Sequence, residues 1–165
     1  DLSFYPGHRF LDIADHSHIP AARRFLIEKD EHYTVIDFTN MPFYGLNSSV
    51  PIKLTKETLG DYTRFFFQFV RGRHGRFLIV ESVDDIQWRE EPPPAARRAI
   101  GKLITPMTLI PNDTPNGPYH LLAQMVFKDS LFQSDITVTE TGMVSLSNEK
   151  LMIEDLPVLD DVFGQ

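Results

Sequence analysis

With 165 residues, 42% of them hydrophobic and 24% charged, the chain has the size and composition of one globular domain spanning 1–165. Its formal net charge of −7 argues against general nucleic-acid binding, and its lack of cysteine excludes disulfide bonds, thiolate metal sites and cysteine nucleophiles. No apolar run approaches the roughly 18 residues of a membrane span, and no basic-then-apolar leader follows Asp1, so we expect a soluble, cytoplasmic protein whose start is missing or trimmed.

The first forty residues predict an irregular arm, a helix and a strand. Residues 1–19 mix aromatic residues with turn formers and lack periodicity, which indicates an irregular arm packed on the domain. From Pro20, AARRFLIEK places apolar and charged residues on opposite helical faces, which predicts a short amphipathic helix. The sequence YTVIDFT predicts a strand at about 33–39, and the turn-rich NMPFYGLNSSVP predicts a loop after it.

The stretch DYTRFFFQFVRGRHGRF divides at Gly72 into a helix and a turn. We expect the helix to start after Thr55 as N-cap and to end at Gly72 in a left-handed turn. Its polar residues fall in one sector, and its apolar residues form a face wide enough for a core helix. A core helix is favoured over a base-stacking platform, because these rings point inward. That face contains Leu59, Tyr62, Thr63, Phe66, Phe69 and Val70, with Phe65 and Phe67 at its margins.

The middle of the chain predicts a buried strand in RFLIVES and a helix over about Pro94–Ile104. A connector with a stiff, extended PPP links them, and a short strand is expected at Met107–Ile110. The segments PAARRFLIEKDEHYTVID and PAARRAIGKLITPMTLIP share PAARR and then TVI against TLI without a gap. This similarity leaves open a duplicated helix-to-strand unit or a chance match.

The last third of the chain predicts an antiparallel meander over 118–156. YHLLAQMVFK and LFQSDITVTE alternate apolar and polar residues, as half-buried strands do. Turns are expected at Thr141-Gly142 and at Asn148-Glu149. With the helix and strand part at 20–112, these elements predict an α+β fold: a curved antiparallel sheet, about three helices, and the aromatic helix packed across the sheet.

Four stretches carry a resemblance to a known family: FYGLN, PIKLTKETLGDYTRFFFQFVRGRHGRFLIVES, MVFKDSLFQSDITVTETGMV and IEDLPV. Over about residues 43–158 the chain resembles an uncharacterised, mainly proteobacterial family with an RFFFxFV-type helix, a glycine-bounded turn and a terminal hairpin. The resemblance implies a bacterial protein in which helix, strand and meander form one unit. It implies no activity, cofactor or catalytic residue.

The turn RGRHGR is the candidate anion site. Arg71, Arg73, His74 and Arg76, with two glycines, can bring guanidinium groups and backbone donors to a phosphate or similar anion. The alternative is a purely structural role: basic residues near a helix C-terminus are favoured by the helix dipole, without any ligand. The turn is neither a P-loop nor a dinucleotide fingerprint.

The metal candidate is His16-Ser17-His18, with Asp12 and Asp15 close by in sequence. Histidines two apart point the same way on an extended segment, and carboxylates can complete a shell. A site would also need a third ligand such as His32 or His120. Capping or solvation of these residues is the competing interpretation, and no cofactor is expected.

Two weaker catalytic patterns are present. Asp84 and Asp85 before Trp88, with Glu90 and Glu91, are acids beside an aromatic ring, but adjacent carboxylates diverge along a loop. A serine triad can be drawn from Ser48, Ser82 or Ser130 and the histidines, without a GxSxG to support it.

Polar residues on the meander form the last candidate site. His120 and Gln124 share one strand face, and Gln133, Asp135 and Thr137 share a face of the next strand. A curled sheet would make them line a pocket, whereas in an open sheet they form its wet side. We expect a non-enzymatic binding or interaction domain that recognises a protein partner or small ligand, with a homodimer left open. The alternative is a small enzyme using His120 and Asp135 as an acid-base pair.

Overall fold

The computed structural model of the chain describes residues 1–112 and 115–159. These residues form three α-helices and eight strands in two open antiparallel sheets, which confirms the α+β class. The chain divides into two compact units, of which the first spans Asp1–Arg71 and the second begins at Gly72. This division leaves the single-domain prediction untested. Among the described residues, no helix has both the length and the apolar character needed to cross a membrane.

The first unit holds a three-stranded antiparallel sheet and two helices. Its strands β1 (Arg9–Asp15), β2 (Ala22–Lys29) and β3 (His32–Ile36) lie side by side in chain order. Helices α1 (Met41–Ser49) and α2 (Leu59–Phe69) follow them. The predicted strand at 33–39 is confirmed as β3.

Three other predictions for this unit are wrong. The arm at 1–19 contains β1, the helix expected from Pro20 is β2, and the loop NMPFYGLNSSVP contains α1. In β2, Phe25 and Ile27 alternate with Leu26 and Glu28, so the same residues satisfy a period of two. Pairing with strands on both sides favours the extended form. In α1, a proline within the first turn is compatible with a helix start.

Helix α2 buries the face that the sequence predicts. Its buried residues are Leu59, Tyr62, Thr63, Phe66, Phe67 and Phe69. The rings of Phe65 and Phe69 contact Phe10 of β1 at centroid distances of 5.4 and 5.1 Å, and Phe69 contacts Phe25 of β2 at 5.2 Å. The aromatic helix therefore packs across the sheet of the first unit.

The predicted ends of this helix are shifted inward by a few residues. Thr58 is the N-cap, and the Thr55 hydroxyl accepts hydrogen bonds from the N–H groups of Glu57 and Thr58 in the turn before it. The helix ends at Phe69 with Val70 extended, so Gly72 is not its terminator.

The second unit contains a five-stranded sheet and one helix, which lies between the first two of these strands in the chain. Strand β4 (Phe77–Val80), helix α3 (Pro94–Gly101) and strand β5 (Thr108–Ile110) precede the meander β6 (Tyr119–Phe127), β7 (Ser130–Val138) and β8 (Val144–Ile153). The sheet order is β4-β6-β7-β8, and β5 also pairs with β6. The strand, helix and meander predictions for this unit are confirmed, except for the second turn.

Asn148-Glu149 is not a hairpin turn. β8 runs through it without reversing direction, with Asn148 at φ 53° and an irregularity in the β7–β8 register beside it. A single left-handed residue in a strand produces a bulge, whereas a two-residue turn of this type needs two.

The two PAARR segments adopt different structures. Residues 22–29 after Pro20 are strand β2, and residues 94–101 are helix α3. The duplicated helix-to-strand unit is therefore wrong, and the shared letters are a chance match. Their neighbours decide the outcome, because β2 has a strand on each side, whereas Arg97 in α3 is held by ion pairs to Asp84 and Glu91.

Both faces of the second unit's sheet hold buried residues. One face buries Leu121, Met125 and Ile136. On the other face, a core cluster is built from Val80, Ile86, Ile104, Val126, Leu131, Leu156 and Val158. The C-terminal segment 156–159 joins this core through backbone hydrogen bonds to Asp129, Gln87 and Arg89.

Candidate functional site

His16, Ser17 and His18 lie in the exposed connection between β1 and β2, and Asp12 and Asp15 lie on β1. The Nδ1 atom of His18 is 3.4 Å from an Asp15 carboxylate oxygen and 3.0 Å from the Ser17 hydroxyl, while Asp12 pairs with Arg23. Hydrogen bonds from Ser17 and His18 lower the pKa of Asp15. No group of three or more His, Asp or Glu residues within 1–112 and 115–159 is placed to hold a metal ion.

The acids around Trp88 have structural partners. The Asp85 carboxylate accepts hydrogen bonds from the N–H groups of Glu81 and Ser82 at 2.8 and 2.9 Å, and Arg97 bridges Asp84 and Glu91. Asp84 and Asp85 thus diverge, as expected for adjacent carboxylates on a loop.

The serine candidates also have partners other than a histidine. The hydroxyl of Ser48 donates to the Gly45 carbonyl, that of Ser130 donates to Asp129, and Ser82 begins the 3₁₀ turn at Val83–Asp85 with its capping box.

His120 and Asp135 lie on the same face of neighbouring strands but bind different groups. His120 is paired with Thr137 in the register and contacts its hydroxyl at 3.2 Å. Asp135 is paired with Leu122 and accepts a hydrogen bond from Asn148 at 2.7 Å. The sheet stays open. The acid-base pair therefore stays a prediction.

Gln124 has a structural role that the alternation pattern did not reveal. It is 6% exposed, its Oε1 accepts the N–H of Thr105 at 2.5 Å, and its Nε2 donates to the Leu103 carbonyl. These hydrogen bonds connect the segment after α3 to β6 in the sheet.

The arginine turn is divided between the two units. Arg71 is the residue at which the first unit ends. Its backbone N–H donates to the Phe38 carbonyl, and its guanidinium lies 4.6 Å from the Phe38 ring centre. In the second unit, Gly72 and Gly75 bridge each other and leave the exposed Arg73 and His74 at the tip of the turn.

A cleft of about 590 Å³ opens beside this turn, in the second unit. It is lined by His74, Gly75, Arg76, Leu78, Gln87, Arg89, Val126, Lys128, Asp129, Asp155, Leu156, Val158 and Leu159. Two residues of the predicted anion site, His74 and Arg76, are among them. The cleft is thus the place where the sequence-predicted site and a concave surface coincide.

Three segments of the unit build the cleft. The edge strand β4 and the end of β6 supply Leu78 and Val126, which are paired in the register. The β6–β7 hairpin turn supplies Lys128 at φ 54° and Asp129. The segment 155–159 is held between that turn and residues 87–89 by backbone hydrogen bonds. The Leu156 N–H donates to the Asp129 carbonyl, and the Arg89 N–H donates to the Pro157 carbonyl.

The cleft has an apolar floor and a charged rim. Leu78, Val126, Leu156 and Val158 belong to the core or pack against it, and Leu159 leaves 53% of its surface exposed. Arg76, Arg89 and Lys128 outnumber the two carboxylates of Asp129 and Asp155, although the whole chain is acidic. The rim is therefore a local basic region. Among the described residues, neither Arg89 nor Lys128 forms an ion pair.

Comparison with known proteins adds no second line of support. No family model, curated protein or solved structure matches the chain. The resemblance to the bacterial family accordingly stays a prediction.

The sequence pattern missed four charged residues of the cleft: Arg89, Lys128, Asp129 and Asp155. The Lys128-Asp129 pair carried a usable signal, because two polar residues between two alternating strands predict a hairpin turn at which both side chains are exposed. Arg89 and Asp155 carried none, since both lie in irregular segments that meet only in the folded chain.

Gly75 fixes the turn on which His74 and Arg76 are placed. Its φ is +143°, and a Cβ there would lie 3.1 Å from an edge carbon of Phe127, whose ring stacks on Phe77 at 4.4 Å. We expect Gly75→Ala to lower the free energy of unfolding by about 1–3 kcal/mol, measured by urea titration.

Gly45 provides the contrasting variant. It lies inside α1, and no atom beyond the backbone of that helix comes within 4 Å of the position that an added methyl group would take. Gly45→Ala should therefore stabilise the chain by about 0.5–1 kcal/mol. Equal effects of the two substitutions would contradict the geometry described for Gly75.

Proposed function

We propose that the chain is a binding domain whose cleft takes a small organic anion with an apolar body. The observation that carries the proposal is the cleft itself, in which an apolar floor is joined to a rim with Arg89 and Lys128. Ligand sites in proteins are typically concave, mostly apolar and about 300–1,000 Å³, with a few polar groups that fix orientation. The volume of about 590 Å³ lies within that range.

The charges on the rim favour an anionic head group. Arg89 and Lys128 project from segments that meet at the cleft, and the Lys128 ammonium lies 5.5 Å from the Phe127 ring centre. Arginine binds carboxylate or phosphate through paired N–H donors, and lysine adds a point charge. Asp129 and Asp155 would repel a second anionic group, so a single head group fits best.

The apolar part of the ligand would cover Leu159 and the core residues beneath it. Leu159 is one of the large apolar side chains that remain half exposed. Each buried CH₂ group contributes about 0.8 kcal/mol to binding. Affinity should therefore rise by about fourfold per CH₂ until the floor is covered.

Straight-chain carboxylates from acetate to octanoate, with the corresponding alcohols, test this proposal by calorimetric titration. Carboxylates should bind more tightly than alcohols of equal length, and Arg89→Ala and Lys128→Ala should each weaken carboxylate binding by about 3–10-fold. The same substitutions should leave the alcohols unaffected.

Lys102→Ala is the matched control, because Lys102 is an exposed lysine of the same unit outside the cleft lining. If it weakens carboxylate binding as much as Lys128→Ala does, the effect is one of overall charge and the proposed head-group site is wrong.

A further inference from the structure

The loop between β5 and β6 contains the sequence Asn116-Gly117, the one Asn-Gly pair of the chain. Asn116 is exposed and lies in a turn, and Gly117 has a φ of +91°. A Cβ at Gly117 would lie 3.3 Å from the Tyr119 ring and 3.5 Å from the backbone nitrogen of Glu140. The fold therefore favours glycine at this position, both by the backbone conformation and by the space around it.

An asparagine followed by glycine has an intrinsic reactivity. The backbone nitrogen of the residue after an asparagine can attack the carbonyl carbon of the asparagine side chain and close a five-membered ring. A Cβ on that next residue crowds the nitrogen and restricts the backbone, whereas glycine leaves both free. Asn-Gly is therefore the asparagine sequence in which ring closure meets the least steric resistance.

The fold holds three of the other four asparagines by side-chain hydrogen bonds. Asn47 bonds two buried tyrosine hydroxyls from inside α1, Asn148 donates to an aspartate of β7, and Asn112 donates to a backbone carbonyl. In the described part of the chain, the side chain of Asn116 makes no hydrogen bond. Its carbonyl carbon can therefore turn toward the next backbone nitrogen without breaking one.

We propose that Asn116 is a self-modification site, which converts to aspartate and isoaspartate without an enzyme. The Gly117 nitrogen attacks Cγ of Asn116, so that an N–Cγ bond forms and the Cγ–Nδ2 bond breaks. The proton lost by the Gly117 nitrogen leaves with the amide group as ammonia. Water then opens the succinimide ring at either of its carbonyls. One water is consumed and one ammonia released, so the reaction needs no oxidant, reductant or cofactor.

The products change both the charge and the length of this loop. Each conversion adds one negative charge to a chain whose formal net charge is −7. Isoaspartate also lengthens the main chain by one CH₂ group shortly before Tyr119, which begins β6 and is paired with Val138. The modification should therefore disturb this end of the β6–β7 pairing. The proposal does not depend on the ligand proposed for the cleft.

Incubation of the full chain at physiological temperature and neutral pH, followed by tryptic digestion and fragment mass spectrometry, tests the proposal. Asn116 should convert at a rate within about tenfold of that in the blocked peptide Pro-Asn-Gly-Pro, because an exposed turn requires little opening of the fold. Isoaspartate should be among the products, since direct hydrolysis of the amide gives aspartate alone.

Asn47 is the control within the same digest. Its conversion should be at least about tenfold slower than in its own blocked peptide, Leu-Asn-Ser-Ser, because α1 must open and two tyrosine hydroxyls must lose their partner first. Comparison of each asparagine with its own peptide removes the effect of the following residue and leaves the effect of the fold.

Asn116→Gln separates this site from any other source of acidic species. Its longer side chain would have to close a six-membered ring, so the acidic species seen by anion exchange should disappear. Asn40→Gln, a substitution in the first unit, should leave them unchanged, and circular dichroism should show both variants folded. An Asn116 that stays unconverted while its peptide reacts, a product without isoaspartate, or acidic species that persist in Asn116→Gln would each overturn the proposal.

Discussion

Gln124→Leu is expected to lower the free energy of unfolding by about 2–4 kcal/mol, although it makes a buried position more apolar. The leucine has nearly the volume of glutamine but supplies neither the acceptor for Thr105 N–H nor the donor for the Leu103 carbonyl. Both backbone groups would then lose their side-chain partner beside a residue that is 6% exposed. Urea titration followed by circular dichroism measures the loss.

Gln133→Leu is the matched control for this prediction. Gln133 faces Gln124 directly in the β6–β7 register, on the same face of the sheet, but is less buried. Its replacement should change the free energy of unfolding by less than about 1 kcal/mol. Similar losses for the two variants would show that the side-chain hydrogen bonds of Gln124 do not contribute to the free energy of unfolding.

Asn47→Leu is expected to lower the free energy of unfolding by about 1–3 kcal/mol. Asn47 in α1 accepts the hydroxyl of Tyr5 at 2.6 Å and donates to the hydroxyl of Tyr62 at 3.2 Å. Both tyrosines are completely buried, and this burial raises the pKa of each hydroxyl. Without Asn47, the Tyr5 hydroxyl stays neutral and buried but has lost its acceptor.

A double-mutant cycle with Tyr5→Phe separates this hydrogen bond from packing. Once Tyr5 is phenylalanine, only the Tyr62 hydroxyl still bonds Asn47, so Asn47→Leu should cost at least about 1 kcal/mol less than it does alone. Additive losses in the cycle would mean that Asn47 stabilises the unit by its contacts and not through Tyr5.

The sequence predicted the second unit more completely than the first, and the reason is local. The strands β6 and β7 alternate along their own length, and α3 starts at a proline that suits a helix. In β2, by contrast, the residues after Pro20 fit a helical face and a strand face equally well. Its structure is decided by β1 and β3, whose contribution a local window does not contain.

The cleft could be predicted only in part. The division of the arginine stretch near Gly72 holds, because Gly72 and Gly75 close a turn that exposes Arg73 and His74. Arg71 is absent from the cleft, since it lies over Phe38 in the first unit. Arg89, Lys128 and Asp155 meet through the placement of residues 155–159, which depends on backbone hydrogen bonds between distant segments.

Amide proton–nitrogen correlation spectra recorded during a titration with octanoate test the binding proposal most directly. We expect the amide signals of Gly75, Leu78, Val126 and Leu156 to shift and saturate below about 10 mM, while signals of β8 stay in place. No shift up to about 10 mM, or shifts centred on His120 and Asp135 instead of the cleft, would contradict the proposal.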